Sequence, residues 1–271
     1  MVLFPNCKIN LGLNIIRKRE DGYHDLETVF YPIVLKDALE AIRTGEQGIR
    51  FSSSGLAVAG NPGNNLCVKA YRLLQQDFPE IGGIEMHLHK QIPMGAGLGG
   101  GSADGAFALL LLNRLFSLDL SEEQLIRYAL QLGSDCPFFI LNKPCFATGR
   151  GEIMRPVTLD LSAYRFLLIN PGIHVSTAQA FAGIQPQTPA KSITEIIQLP
   201  ISQWKEMLIN DFEKNVTILY PEIAAIKEEF YARGALYASM TGSGSTVYGL
   251  FEKGTNPTIQ RQPGWTVYQT D

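Results

Sequence analysis

Residues 6–15 alternate without a break: Cys7, Ile9, Leu11, Leu13 and Ile15 are apolar, and Asn6, Lys8, Asn10, Gly12 and Asn14 form the other set. A period of two is that of a strand. The polar set is unusual, because it carries a lysine between amides rather than the Thr, Ser and Glu of a solvated strand. Periodicity alone leaves two readings open, a face that lines a site and a half-exposed edge strand. Asp21-Gly22 marks a turn and Leu26–Leu35 reads as a second strand, followed by a less regular, glycine-rich stretch to Gly63. A helix is expected over Leu66–Gln76, capped by Asn64 or Asn65. Ile84, Met86 and Leu88 then alternate with Glu85, His87 and His89 in another strand. Two histidines on one strand face can bind a metal ion, but a solvated face is the stronger reading.

After Pro93–Ala103 a helical pattern runs to about Phe116, and a second covers Glu122–Leu132 with Ser121 and Gln124 as its capping box. Beyond Pro156 the pattern restarts with a strand at Phe166–Ile169. A Pro- and Gln-bearing stretch, Gly183–Pro189, precedes helices near 192–198, 202–210 and 221–232, and strands return at Ala235–Met240 and Thr246–Phe251. This succession favours an α+β fold in two domains, 1–155 and 156–271. There is no internal repeat.

The chain has 271 residues, 45% of them hydrophobic, with 23 Lys plus Arg against 26 Asp plus Glu for a net charge of −3. It can bury a core, and its composition argues against disorder. The slight acidic excess gives no footprint for a polynucleotide binder, so no nucleic acid polymer is expected as a partner. The longest wholly apolar run, Ala106–Leu112, falls far short of the roughly 20 residues of a membrane-spanning helix, so no membrane partner is expected. The first residues carry no secretory pattern, and the cytoplasm is the expected compartment. Cys7, Cys67, Cys136 and Cys145 form no CxxC pair and read as free thiols.

Five glycines, Gly95, Gly97, Gly99, Gly100 and Gly101, stand between a strand and a helix. Bare amides at a helix start are an anion site, and glycine lets a phosphate approach closely. Gly95–Gly100 satisfies GxGxxG, and Asp119 follows about 20 residues on, but Asp119 sits between helical stretches where a dinucleotide fold needs a strand. A Walker loop needs a lysine before its Ser, and here Gly101 precedes Ser102. The protein-kinase loop fails for want of HRD and DFG.

The run Pro93-Met94-Gly95-Ala96-Gly97-Leu98-Gly99-Gly100-Gly101-Ser102-Ala103 resembles the ATP loop of the galactokinase, homoserine kinase, mevalonate kinase and phosphomevalonate kinase (GHMP) superfamily. Lys8-Ile9-Asn10-Leu11 and the glycine-rich Met240–Ser245 agree with it. Asp21–Leu26, the triple glycine, Gly133–Phe139 and Asn210–Glu213 are similar to one branch, which serves non-mevalonate isoprenoid synthesis and phosphorylates an alcohol carrying a cytidine diphosphate. The resemblance spans nearly the whole chain. It implies the two-domain GHMP kinase fold, with a ribosomal protein S5 domain 2-like N-terminal domain and a ferredoxin-like C-terminal domain. It implies ATP with Mg2+, Ser102 and the amides of Gly99–Gly101 meeting the β- and γ-phosphates, and Asn65 contacting adenosine.

Read from the residues alone, Asp135 is a helix-ending Asp in a turn. The resemblance makes it the catalytic base, with Lys8 keeping it ionised or stabilising the nucleophilic oxygen. By the same analogy Tyr23, His24 and Phe181 sandwich and hydrogen-bond the cytosine, and Asn10 and Thr177 lie near the sugar or diphosphate. Arg17-Lys18-Arg19 reads as a solvated turn more readily than as an anion guide. The 241–245 loop either touches phosphate or supports the pocket. Ala103 lacks a hydroxyl frequent in the family, Ala96 is within its range, and Gly105 inside a helix costs about 1 kcal/mol against alanine. The rival readings are another GHMP kinase, of homoserine or mevalonate type, and a non-catalytic nucleotide-binding module.

Overall fold

The structure is a computed structural model and describes residues 1–58 and 60–270. Along the chain run β1 (Val2–Leu3), β2 (Asn6–Lys18), β3 (His24–Lys36), β4 (Ala38–Arg43), β5 (Ile49–Gly55), α1 (Leu66–Asp77) and β6 (Ile84–Lys90). Next come α2 (Gly100–Phe116), α3 (Glu122–Leu132), α4 (Cys136–Leu141), β7 (Cys145–Thr148), β8 (Ile153–Pro156) and β9 (Tyr164–Asn170). The remainder is α5 (Thr177–Phe181), α6 (Ile193–Ile196), α7 (Glu213–Leu219), α8 (Pro221–Ala232), β10 (Tyr237–Met240), β11 (Val247–Glu252) and β12 (Thr266–Thr270). The mixture is α+β, as the patterning implies.

Two compact units divide the chain. The first takes Met1–Cys7, Val34–Met94 and Gly99–Lys143. Its sheet, in the order β1-β4-β6-β5, is antiparallel except for the parallel β5–β6 pair. One sheet face buries Leu39, Ala41, Ile84, Met86 and Leu88. On the other, His87 and His89 hydrogen-bond to the hydroxyls of Ser52 and Ser54 at 2.8–3.0 Å. Helices α1 and α2 meet closely at Gly105, where an added Cβ would stand 2.8 Å from Leu66 Cβ. The glycine that weakens α2 as a helix is what admits its neighbour.

The second unit takes Lys8–Ile33, Gly95–Leu98 and Pro144–Asp271, and includes the antiparallel sheet β10-β11-β9-β12. Its core joins Leu13 and Ile15 of β2 to Leu167, Ile169, Phe230, Val247 and Phe251. A further sheet is ordered β2-β3-β7-β8.

Three expectations are corrected. The irregular stretch before Gly63 contains β4 and β5: β5 loses its alternation in Ser52-Ser53-Ser54 and is held by pairing with β6. The helix expected at 202–210 is a 3-10 turn at Ile201–Gln203 followed by turns, with the buried Trp204 donating its ring N–H to Leu199 O at 3.0 Å. Helix α7 follows instead. Asp135 does not end a helix but precedes α4, started by Pro137.

Candidate active site

Lys8 and Asn10 are 4% and 2% exposed, and every residue from Asn6 to Leu13 is buried, so the polar face of β2 is not a solvated edge. The Lys8 ammonium donates to Asn10 Oδ1 at 2.7 Å and to Gly97 O at 3.0 Å, and lies 5.0 Å from the centre of the Phe30 ring. Asn10 Nδ2 donates to Thr28 Oγ1 at 3.0 Å, and Thr28 in turn donates to Gly12 O at 2.6 Å. The Thr241 hydroxyl accepts from Asn10 N–H at 3.0 Å and stands 3.2 Å from Asn10 Oδ1 and 3.1 Å from Gly97 O. Both ends of the Asn10 side chain are thus engaged within the protein, and what they orient is Lys8.

The 95–98 stretch rests on the 241–246 turn. Gly97 has φ +77°, and a Cβ there would lie 2.0 Å from Thr241 O, so only glycine fits. Thr246 N–H donates to Ala96 O at 3.3 Å, and Asn210 Nδ2 holds the turn through Met240 O and Gly242 O at 2.7 and 2.9 Å. The second glycine-rich segment therefore braces the first. Positive φ at Gly95, Gly97 and Gly99, alternating with the residues between, turns successive amides into a concave anion-binding nest.

In the other unit Gly99 precedes α2 in the left-handed conformation, and no side chain caps the first turn, so the amides of Gly100–Ser102 face outward for an anion. Behind them Lys90 Nζ bonds Asp37 at 2.5 Å and Asp104 at 2.7 Å, all buried, and would lie 3.0 Å from a Cβ on Gly100. Asp37 also accepts the N–H groups of Gln91 and Ile92. Burial, opposed by Lys90 and reinforced by Asp37, pushes the Asp104 carboxyl up to about 8. One ammonium between two carboxylates leaves a surplus negative charge, and a proton on Asp104 removes it. Sequence reasoning passed over this cluster, although Lys90 falls in phase with the buried Ile84, Met86 and Leu88.

Asp135 is half-buried, and its carboxylate does not cap α4. The next residue, Cys136, is fully buried, which raises its thiol to about 12. Asn65, not Asn64, caps α1, its Oδ1 accepting from Cys67 N–H at 2.8 Å. Pro93 and Met94 lie between β6 and the glycines, with Met94 Cε 3.2 Å from a Cβ placed on Gly101. Ala103 is buried, its N–H on Gly99 O. No group of three or more His, Cys, Asp and Glu side chains is placed to hold a metal ion among the described residues.

Tyr23 is 56% exposed at the tip of the β2–β3 hairpin, with the Arg150 guanidinium 4.9 Å from its ring centre. Arg17 and Arg19 pair with Asp21 and Asp25 there, so the basic cluster is largely spent within the turn. His24 stacks directly on Phe181, with ring centres 4.6 Å apart and 22° between planes, and Phe181 meets Phe212 edge-on at 4.8 Å. Burial, and secondarily Lys18, holds the His24 imidazole below its usual pKa. His24 and Phe181 are thus in direct contact with each other. Thr177 is exposed at the first position of α5, behind the Ser176–Gln179 capping box.

The family model for the GHMP kinases N terminal domain matches residues 65–143, and that for GHMP kinases C terminal matches 195–263. A 4-diphosphocytidyl-2-C-methyl-D-erythritol kinase of Bacteroides thetaiotaomicron is 56% identical over 260 residues, covering 95% of this chain and 94% of that one. One from Cytophaga hutchinsonii is 48% identical over 93% of this chain and 92% of its own length. A crystal structure of 4-(cytidine 5'-diphospho)-2C-methyl-D-erythritol kinase superposes with a TM-score of 0.81 at 32% identity, over 92% of this chain and 90% of that one. The α+β architecture, the glycine loop braced by its partner turn and this similarity agree: the chain belongs to the GHMP kinases and, within them, to the 4-diphosphocytidyl-2-C-methyl-D-erythritol kinases.

Proposed function

We propose that the protein transfers the γ-phosphoryl group of ATP to the 2-hydroxyl of 4-diphosphocytidyl-2-C-methyl-D-erythritol, giving the 2-phosphate and ADP, in the cytoplasmic non-mevalonate route to isoprenoid precursors. The observation that carries this reading is the buried Lys8 ammonium, oriented by Asn10 and bonded to the carbonyl of Gly97 within the phosphate-loop run. A charge is kept out of water at such cost only where it is used or compensated. Phosphoryl transfer asks the protein mainly to position the partners and to stabilise charge. In this reading the amides of Gly99–Gly101 and the Ser102 hydroxyl hold the β- and γ-phosphates. Asp135 takes the proton of the acceptor hydroxyl, and Lys8 steadies the oxygen as the proton leaves.

Mg2+ neutralises phosphate charge when bound. It draws most of its ligands from phosphate and water, so the hydroxyl of Ser102 and the carboxylate of Asp135 form a fitting donor set without a dedicated cage. Residues 1–155 carry the ATP contacts, Asn65 among them. Residues 156–271 contribute Thr177 and Phe181 to the acceptor pocket. The cytosine stacks on the outer face of the His24–Phe181 pair or on Tyr23.

The test is ADP release in a coupled assay with and without the diphosphocytidyl acceptor, alongside homoserine and mevalonate. Acceptor-dependent release with the first alone is expected. Asp135→Ala is expected to bind both substrates and lose about 10²–10⁴ in kcat. Turnover of homoserine or mevalonate instead, or a near-normal kcat in the variant, contradicts the reading.

A further inference from the structure

His174 is one of four histidines in the chain, and nothing in the sequence pattern marks it. It lies on the segment joining β9 to α5 and is exposed. Its ring packs on the glycine loop: Nδ1 and Cε1 stand 3.4 and 3.5 Å from where a Cβ on Gly95 would be. The backbone that presents it is fixed on both sides. Asn170, buried, donates from Nδ2 to Thr246 Oγ1 at 3.0 Å and accepts Gly172 N–H at 3.0 Å, while the buried Ser245 hydroxyl donates to Ile173 O at 2.6 Å. The same 241–246 turn holds the loop through Gly97 and Ala96. Three chain segments are thus locked together, with an imidazole at their rim beside a nest of amides suited to an anion.

The amide of Asn10 is engaged by Lys8 and Thr28, whereas the exposed His174 ring lies against Gly95 by its Nδ1–Cε1 edge. From His174 the chain enters α5 within three residues, and that helix carries Thr177 and Phe181. We infer that His174 donates a hydrogen bond to the diphosphate of the cytidine-bearing acceptor, so that it helps the enzyme distinguish a nucleoside diphosphate ester from an uncharged nucleoside. This rests on the acceptor assignment proposed above.

The experiment is calorimetric binding of CDP, cytidine and ADP to the wild-type enzyme, His174→Ala and His174→Lys, with thermal melts of all three. A lost hydrogen bond to a charged oxygen weakens binding by about 10-fold or more. His174→Ala is expected to weaken CDP by about that factor, to change cytidine and ADP less than about 2-fold, and to melt with the wild type. His174→Lys, which again places an N–H donor there, is expected to recover part of the CDP affinity. Unchanged CDP binding, equal losses for CDP and cytidine, or a loss confined to ADP each overturn the inference. Because binding is read without turnover, a wild type that binds CDP and loses it in His174→Ala, yet does not phosphorylate the acceptor, refutes the proposed reaction and leaves the diphosphate contact standing.

Discussion

A lysine withdrawn from water costs several kcal/mol unless its charge is met. Lys90 is met twice, by Asp37 and Asp104, and burial, reinforced by the Asp37 charge, pushes Asp104 up to about 8. The consequence for stability has a definite sign. Between the carboxyl's ordinary value of 3.8 and about 8, the folded state holds a proton that the unfolded chain has lost, so folding takes up a proton and stability falls as pH rises. The slope is at most about 1.4 kcal/mol per pH unit for one proton, and it vanishes above the folded value. Asp104→Asn cannot take up that proton. Its Tm is expected to fall less steeply than the wild type's from pH 5 to 8, as read by calorimetric melts; parallel profiles would mean Asp104 stays ionised in the fold. Lys8, also buried, donates to the amide oxygen of Asn10 and the carbonyl of Gly97. Its burial was half legible, since the polar face of residues 6–15 stood out. The partners that orient it, Gly97 and Thr241, lie 89 and more than 200 residues away and are supplied by tertiary packing alone.

Long periodic elements were readable because their side chains record which face is buried. Strand β2, helices α1 and α3 and the Ser121–Gln124 box came through with little error. Strand β5 did not, for its serines carry no face and its pairing partner β6 decides it. At 202–210 the apolar spacing of Trp204 and Leu208 imitates a helix, but both side chains are buried by turns. Helix α2 shows where propensity misleads in the opposite direction. Gly105→Ala should gain about 1 kcal/mol as a helix residue. Its Cβ, however, would stand 2.8 Å from Leu66 Cβ, an atom too close to the α1 backbone to swing aside. Overpacking of that kind costs about 1–3 kcal/mol. Crowding is expected to win, with Tm lowered by about 2–4 °C. A raised Tm would mean that α1 and α2 can separate without loss.

The net charge of −3 offers nothing to an anionic substrate, so any attraction has to be local. The same locality governs how the chain is built. Each compact unit is assembled from three separate stretches of sequence, and the core of the second depends on Leu13 and Ile15, supplied from β2 near the N-terminus. A fragment comprising residues 156–271 retains β9 to β12 and all of α5 to α8, and it carries the whole C-terminal family match. It lacks those two side chains, each worth about 1.5–3 kcal/mol of burial. That is a large part of the roughly 5–15 kcal/mol that stabilises a typical domain, before the exposed partners Ile169, Phe230 and Val247 are counted. The fragment is therefore expected to keep helical circular dichroism but to melt without a cooperative transition and to bind an apolar dye. A sharp melt with a dispersed amide NMR spectrum would show that the β2 contribution is dispensable and that residues 156–271 fold on their own.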